Sequence, residues 1–313
     1  MELRNLGHSG LRVSAIGLGC NNFGARIDDA AAKAVIHKAM DLGITLFDTA
    51  DIYGNKGGSE TTMGGILGAR RKDIVLASKF GMQMDEAGVM KGGARRYIMS
   101  AVEASLKRLK TDWLDLYQLH QPDPLTPIEE TLRTLDDLVR SGKVRYIGCS
   151  NLAGWQVADA QWTSRHNGLA SFISAQDEYS LLFRDHEKQL FPALHHYGMG
   201  LLPYFPLACG MLTGKYERGK AMPAGSRLST MKNRADQYMT DTNWAIVDKL
   251  AAFAKARGHT VLDLAMSWLA QRPPVTSVIA GATSAAQVEA NVKAASWTLS
   301  ADDMAEVARL ASK

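Results

Sequence analysis

The chain has 313 residues, 46% of them hydrophobic and 22% charged, a composition that excludes a disordered or fibrous chain and allows one large domain or two ordinary ones. Lysine and arginine number 36 against 32 for aspartate and glutamate, and the net charge of +4 is spread without a basic or acidic block, so a nucleic-acid partner is not expected. A small ligand bearing phosphate remains compatible with that balance.

In chain order, residues 2–11 alternate apolar and polar positions around Gly7 and Gly10 and read as a β-hairpin. Short apolar, β-branched runs then recur at 13–18, 44–48, 74–78, 114–119, 144–148, 172–176, 199–204 and 276–280, and each reads as a strand. Longer amphipathic stretches lie between them, at 29–42, 97–109, 127–141, 153–165, 191–195 and 243–257. In the first, Val35, Ile36, Ala39 and Met40 share one helical face and Gly43 follows as a C-terminal cap. This alternation predicts an α/β fold, a (β/α)8 TIM barrel in one domain over 1–313, with the hairpin at its N-terminus. Residues 80–96 and 206–241 break the repeat and read as long loops after strands 3 and 7, on the face where barrel enzymes keep their chemistry.

Cys20, Cys149 and Cys209 are too few and too scattered for a disulfide framework or a zinc ribbon, which points to a reducing compartment and to no metal. The most apolar run, 201–212, is broken by Pro203 and Pro206, and the first twenty residues carry Glu2, Arg4 and Arg12. A membrane span and a secretion signal are therefore not expected, and the chain is assigned to the cytoplasm.

The chemistry lies at strand ends. Strand 2 runs into Phe47-Asp48-Thr49-Ala50-Asp51-Ile52-Tyr53-Gly54, strand 3 ends at Lys79 and strand 4 at His120. Singly, Asp48 reads equally as a cap, Tyr53 as packing, Lys79 as a solvated strand end and His120 as a core histidine. Four titratable groups brought to one rim are costly unless they pair, so jointly they read as a site. A phenol beside an ammonium is suited to giving a proton to a carbonyl oxygen. Lys79 would lower the phenol's ordinary pKa of about 10, Asp48 would hold Lys79, and His120 would hydrogen-bond the substrate oxygen. None of these groups supplies electrons, so a redox reading requires a hydride donor.

FDTADIYG at 47–54, Lys79, LKRLKTDWLDLYQLHQPD at 106–123, RNLGHSGLRVSAIGLG at 4–19, GKVRYIGCSN at 142–151, PLACGMLTGKY at 206–216 and GATSAAQVEANVKA at 281–294 together resemble the aldo-keto reductase superfamily. The resemblance implies a (β/α)8 barrel that transfers hydride between a nicotinamide dinucleotide and an aldehyde or ketone, or back from the alcohol. It implies Tyr53 as general acid, Lys79 and Asp48 as its tuning pair, and His120 as the group orienting the carbonyl. Gly19 and Cys20 match a close backbone approach to the cofactor, and Ser150, Asn151 and Gln176 match the grip on the nicotinamide carboxamide. Tyr204 matches the ring stacked on the nicotinamide, Leu207, Gly210, Leu212 and Lys215 the pyrophosphate loop, and Gly281, Thr283, Gln287 and Asn291 the adenosine end.

The sequence departs from the family pattern where an arginine or lysine commonly pairs with the 2′-phosphate of NADP: Gly281, Thr283 and Gln287 carry no charge, Ala290 replaces an acidic residue and Ala280 a proline. Arg227 resembles an arginine that reaches the cofactor in some relatives. NADPH is the expected cofactor, with NADH also possible. Phe23, Phe80 and Met82 are expected to line the substrate pocket, and Trp113 to belong to the core at the opposite end. A small carbonyl or alcohol is the expected partner and a monomer the expected state. Three alternatives stand beside the reductase: an oxidative sugar or polyol dehydrogenase, a barrel lyase with a Schiff base on Lys79, and a regulatory subunit that senses the cofactor.

Overall fold

A computed structural model describes residues 1–312. The hairpin pairs β1 (Leu3–Asn5) with β2 (Arg12–Ser14) in antiparallel register. Eight parallel strands follow: β3 (Ile16–Gly19), β4 (Leu46–Asp48), β5 (Val75–Phe80), β6 (Leu114–Leu119), β7 (Val144–Ser150), β8 (Ser174–Gln176), β9 (Gly200–Leu201) and β10 (Val278–Gly281). They lie side by side from β3 to β9, with β10 against β3. The ring closes where Leu201 N donates to the Pro274 carbonyl and Thr276 N to the Leu201 carbonyl, so the predicted (β/α)8 barrel is present.

The helices are α1 (Asp29–Asp41), α2 (Tyr53–Leu67), α3 (Arg95–Leu109), α4 (Ile128–Arg140), α5 (Gly154–Asn167), α6 (Leu190–Tyr197), α7 (Arg227–Thr230), α8 (Lys232–Tyr238), α9 (Asp241–Lys255), α10 (Val261–Ala270), α11 (Ala285–Ala294) and α12 (Ala301–Leu310). Helix α1 shows the local logic. Asp28 caps it by accepting from Ala31 N, Val35, Ile36 and Ala39 face inward, and Gly43 at φ +80° turns the chain into β4.

The run 13–18, read as one strand, is two. Ser14 Oγ donates to the Ile16 carbonyl, and its backbone N–H donates to Thr45 Oγ1, which breaks the run at Ala15. Upstream of the break the chain belongs to the hairpin, whose Leu6 and Val13 pack against Leu46, Ala77, Leu116, Leu202 and Ile279 and plug the barrel from below. The run 199–204 shrinks to two residues because Pro203 has no N–H to give a ladder, although Tyr204 rejoins Glu178 through an isolated bridge. The 206–241 loop carries a short 3-10 segment, Ala208–Thr213, together with α7 and α8. Helices α2, α10, α11 and α12 went unrecognised in the sequence, although Thr260, Ser284 and Ser300 cap the last three through their side chains. Trp113 is half-buried rather than core, with the guanidinium carbons of Arg71 and Arg145 at 4.7 and 5.8 Å from its ring centroid.

Candidate active site

Asp48 ends β4, Lys79 is the penultimate residue of β5, and His120 follows β6, so neighbouring strands bring three groups to one rim. Tyr53 stands at the start of α2, where Gly54, Asn55 and Lys56 all have positive φ and delay the helix proper. At Gly54 (φ +68°) a Cβ would come within 2.4 Å of Ser59 N and 2.5 Å of the Phe23 carbonyl oxygen. Only glycine fits this turn, which folds the phenol back over Lys79.

Lys79 Nζ is fully buried and donates to Asp48 Oδ2 at 2.6 Å, to the Thr49 carbonyl at 3.0 Å and to Tyr53 Oη at 3.4 Å. These acceptors use all three protons of an ammonium. Burial disfavours that charge, but Asp48 and Tyr53 outweigh it and hold the Lys79 pKa above its ordinary value. An amine paired with Asp48 and donating to three acceptors has no lone pair free for a carbonyl, which argues against the Schiff-base alternative. Burial also pushes the Tyr53 phenol above its ordinary range, and the attraction of Lys79 offsets only part of that rise. The expected net lowering of the phenol pKa is therefore absent: desolvation of a phenolate outweighs one ammonium at 3.4 Å, and Tyr53 stands as a protonated acid.

Burial, with the charge of Lys79 second, drives the His120 pKa down to about 3, so the ring is neutral. Its edge meets the Tyr53 ring at 84° with centroids 5.6 Å apart, and its Nδ1 is buried without a partner. Asp48 Oδ1 accepts from Gln176 Nε2 at 2.8 Å and from Gln118 Nε2 at 3.2 Å. Gln118 was missed in the sequence. Its signal was register, since it pairs with Lys79 across β5 and β6 and so shares the interior face. Removing one N–H from a buried carboxylate costs about 1–3 kcal/mol, so Gln118→Leu is expected to lower kcat roughly tenfold with little change in cofactor affinity. Steady-state rates beside a cofactor titration measure this, and a wild-type kcat would refute the role.

A cavity of about 750 Å³ opens over these groups, within the roughly 300–1,000 Å³ usual for cofactor sites. Of the expected residues, Gly19, Cys20, Asp48, Tyr53, His120, Ser150, Asn151, Gln176, Tyr204, Leu207, Gly210, Lys215, Arg227, Gly281, Thr283, Gln287 and Asn291 line it. Lys79 lies beneath the floor. Leu212, Phe23 and Phe80 are each 0% exposed and belong to the core, Phe80 packing on Tyr117 at 4.7 Å. Met82 is half-buried outside the lining, its carbonyl accepting from Tyr97 Oη at 3.4 Å. None of these four lines the cavity: Phe23 and Leu212 adjoin the lining residues Asn22 and Thr213 but are buried in the core, and Phe80 and Met82 belong to a stretch, 54–119, that contributes nothing to the lining. Asn21, Asn22, Arg26, Phe205 and Arg234 line the cavity and were missed, the first four lying in loops without periodicity and Arg234 in the short helix α8 within a segment read as a loop.

The lining fits a phosphate-bearing dinucleotide. Arg227 has a buried Nε without a partner and only a long contact, 3.5 Å from Nη1 to Asn22 Oδ1. Among the described residues neither it nor Lys215 nor Arg26 has a carboxylate partner, whereas Arg234 is paired with Glu178 at 2.8 Å. Unpaired cations at a partly dry wall call for an anion. At Gly210 (φ +100°) a Cβ would meet Lys215 Cε at 2.7 Å, so glycine keeps that wall open to backbone approach. At the strand ends, Ser150 Oγ donates to the Gln176 carbonyl, Asn151 Nδ2 to the His120 carbonyl, and Tyr204 Oη to Asn151 Oδ1. Because Gln176 Nε2 is committed to Asp48, its Oε1 is left for a ligand N–H, as a nicotinamide carboxamide offers. Among the described residues no group of three or more His, Cys, Asp or Glu could hold a metal, and all three cysteines are free and buried.

Residues 15–312 match the Aldo/keto reductase family. The chain is 38% identical over 301 residues to a probable voltage-gated potassium channel subunit beta of Oryza sativa subsp. japonica, covering 94% of this chain and 91% of that one. It is 36% identical over 309 residues to the uncharacterised oxidoreductase YrpG of Bacillus subtilis, covering 96% and 92%. It is 34% identical over 319 residues to an L-glyceraldehyde 3-phosphate reductase of Escherichia coli O157:H7, covering 98% and 91%.

Proposed function

Since the chain belongs to the aldo/keto reductase family and is an NAD(P)-dependent oxidoreductase of that family, we propose that it reduces an aldehyde or ketone to the alcohol, or runs the reverse, with Tyr53 as the acid. The observation that carries this reading is the Asp48–Lys79–Tyr53 chain of contacts, which ends in a phenol facing the cavity beside a neutral His120. A bound nicotinamide supplies or receives the hydride. The chain's own residues do the rest. Tyr53 Oη gives its proton to the carbonyl oxygen, and the resulting phenolate is held by Lys79, whose charge Asp48 fixes in place. Neutral His120 donates a hydrogen bond to the same oxygen without competing as an acid.

Ser150, Asn151 and Gln176 hold the carboxamide, Tyr204 the ring, Lys215 and Arg227 the phosphates, and Thr283, Gln287 and Asn291 the adenosine. Three cavity cations without carboxylate partners favour NADPH. NADH is also accepted, because the Gly281, Thr283 and Gln287 end has no cation of its own. A second reading, a subunit that binds the cofactor without turnover, is favoured by the similarity to the Oryza sativa protein.

The test is oxidation of NADPH and of NADH across aldehydes, ketones and dicarbonyls, with L-glyceraldehyde 3-phosphate included. Turnover on any of them, faster with NADPH, is the expected result. Tight cofactor binding with no turnover in either direction would replace the reductase by the sensing subunit.

A further inference from the structure

Helix α5 carries two tryptophans on its outer surface, Trp155 at 68% and Trp162 at 61% exposure. Seven residues apart, they stand on one stripe two turns long. Tryptophan is the residue most concentrated at the energetic centres of protein interfaces, and it is rarely left this open in pairs. The stripe also carries charge. Asp159 lies toward the N-terminal half and Arg165 and His166 lie in the last turn, all exposed. Among the described residues neither Asp159 nor Arg165 has an ion-pair partner. Arg165 only stacks over Tyr197 at 4.9 Å, while His166 lies flat on Trp162 with centroids 4.8 Å apart.

We propose that this face of α5 is a two-fold interface with a second copy of the chain, the two helices packed antiparallel about Trp162. The charge order selects a second copy as the occupant. An antiparallel pair sets the acidic half of one helix against the basic turn of the other, twice, so Asp159 lies within reach of the partner's Arg165 and the partner's His166. Trp162 then packs on its own counterpart at the centre. Trp155 reaches past the end of the facing helix, over the partner's Gly168. That ground is open, since a Cβ added at Gly168 meets nothing within 4 Å. One helix pair supplies less than the roughly 800 Å² per partner of a standard interface. The flanking helices α4 and α6, which pack on either side of α5, complete it. The barrel's catalytic face stays free in this arrangement, apart from the entry to α5.

Sedimentation of the full chain over a range of concentrations tests the proposal. The expected result is a reversible dimer, with tryptophan emission shifting to the blue as it forms. Trp162→Glu is expected to weaken it about 100-fold and Asp159→Arg roughly tenfold. Asp159→Arg combined with Arg165→Asp in the same chain is expected to return the affinity to within about threefold of wild type. All three target residues are exposed, and circular dichroism of each variant checks that folding is intact. A chain that stays monomeric up to about 100 μM, a dimer that ignores Trp162→Glu, or a charge swap that fails to restore association would each overturn the interface.

Discussion

Tyr53→Phe is expected to lower kcat for carbonyl reduction by about 10²–10⁴, the usual contribution of a positioned general acid. The cofactor Kd should move less than about twofold. The phenol is the only member of the Asp48–Lys79–Tyr53 chain proposed to touch the reacting oxygen, and removing its hydroxyl leaves Lys79 still bound to Asp48 and the Thr49 carbonyl. The ammonium keeps two of its three acceptors, so the fold should hold. The loss then appears in the chemical step, and single-turnover rates beside a fluorescence titration of cofactor separate the two. Comparable loss of cofactor binding would mean that Tyr53 is part of the binding wall. An unchanged single-turnover rate would remove Tyr53 from the chemistry and shift the proton to His120.

The largest stability effect is expected at Asp177. It follows β8, is 1% exposed, and neither carboxyl oxygen has a well-formed hydrogen bond, the nearby Asn151 N–H being given to the Gln176 carbonyl at 3.2 Å. The nearest cationic candidate, His186, has its Nε2 4.0 Å from Oδ1, and burial keeps that ring neutral as well. Burial raises the Asp177 carboxyl from 3.8 to about 8. The sign follows from which state holds the proton. Between pH 4 and 8 or so the folded chain keeps Asp177 protonated while the unfolded chain does not, so folding takes up a proton and stability falls as pH rises through that window. Up to pH 7 this spans about three pH units, at most about 4 kcal/mol, and relaxation around the group reduces it. Asp177→Asn keeps the shape and removes the titration. It is expected to stabilise the protein by roughly 2–4 kcal/mol at pH 7 and by about nothing at pH 4. Denaturant unfolding at several pH values measures the difference. Wild-type and variant curves that run parallel would show that Asp177 is not the titrating group.

The barrel was legible because burial on both sides of a parallel strand leaves a run of apolar residues with little ambiguity, as in β6, found at its observed bounds. Strand ends were legible too, since Asp48, Lys79 and His120 each interrupt or close such a run. What the sequence hid was decided by contacts between distant segments. The division of 13–18 depends on Ser14 meeting Thr45, thirty-one positions away. Asp115 and Gln118 both interrupt β6, and only the pairing across β5, which sets Gln118 opposite Lys79, distinguishes the second as part of the site. Phe23 and Phe80 adjoin the rim in sequence, but alternation along β5 turns Phe80 away from the face of Lys79, out against Tyr117 and the helices, and Phe23 is buried in the same layer. The unrecognised helices α10 and α11 cover the closing strand. Helix α10 is buried nearly all round and so shows no stripe to read.

Two contacts join the first and seventh loops across the mouth of the cavity, Arg26 Nη2 to the Gly225 carbonyl at 2.6 Å and Arg227 Nη1 to Asn22 Oδ1 at 3.5 Å. They act as a latch. The 206–241 segment cannot lift from the rim until both contacts part, so access to the cavity from that side is governed by two arginine side chains lying outside the Asp48–Lys79–Tyr53 chain.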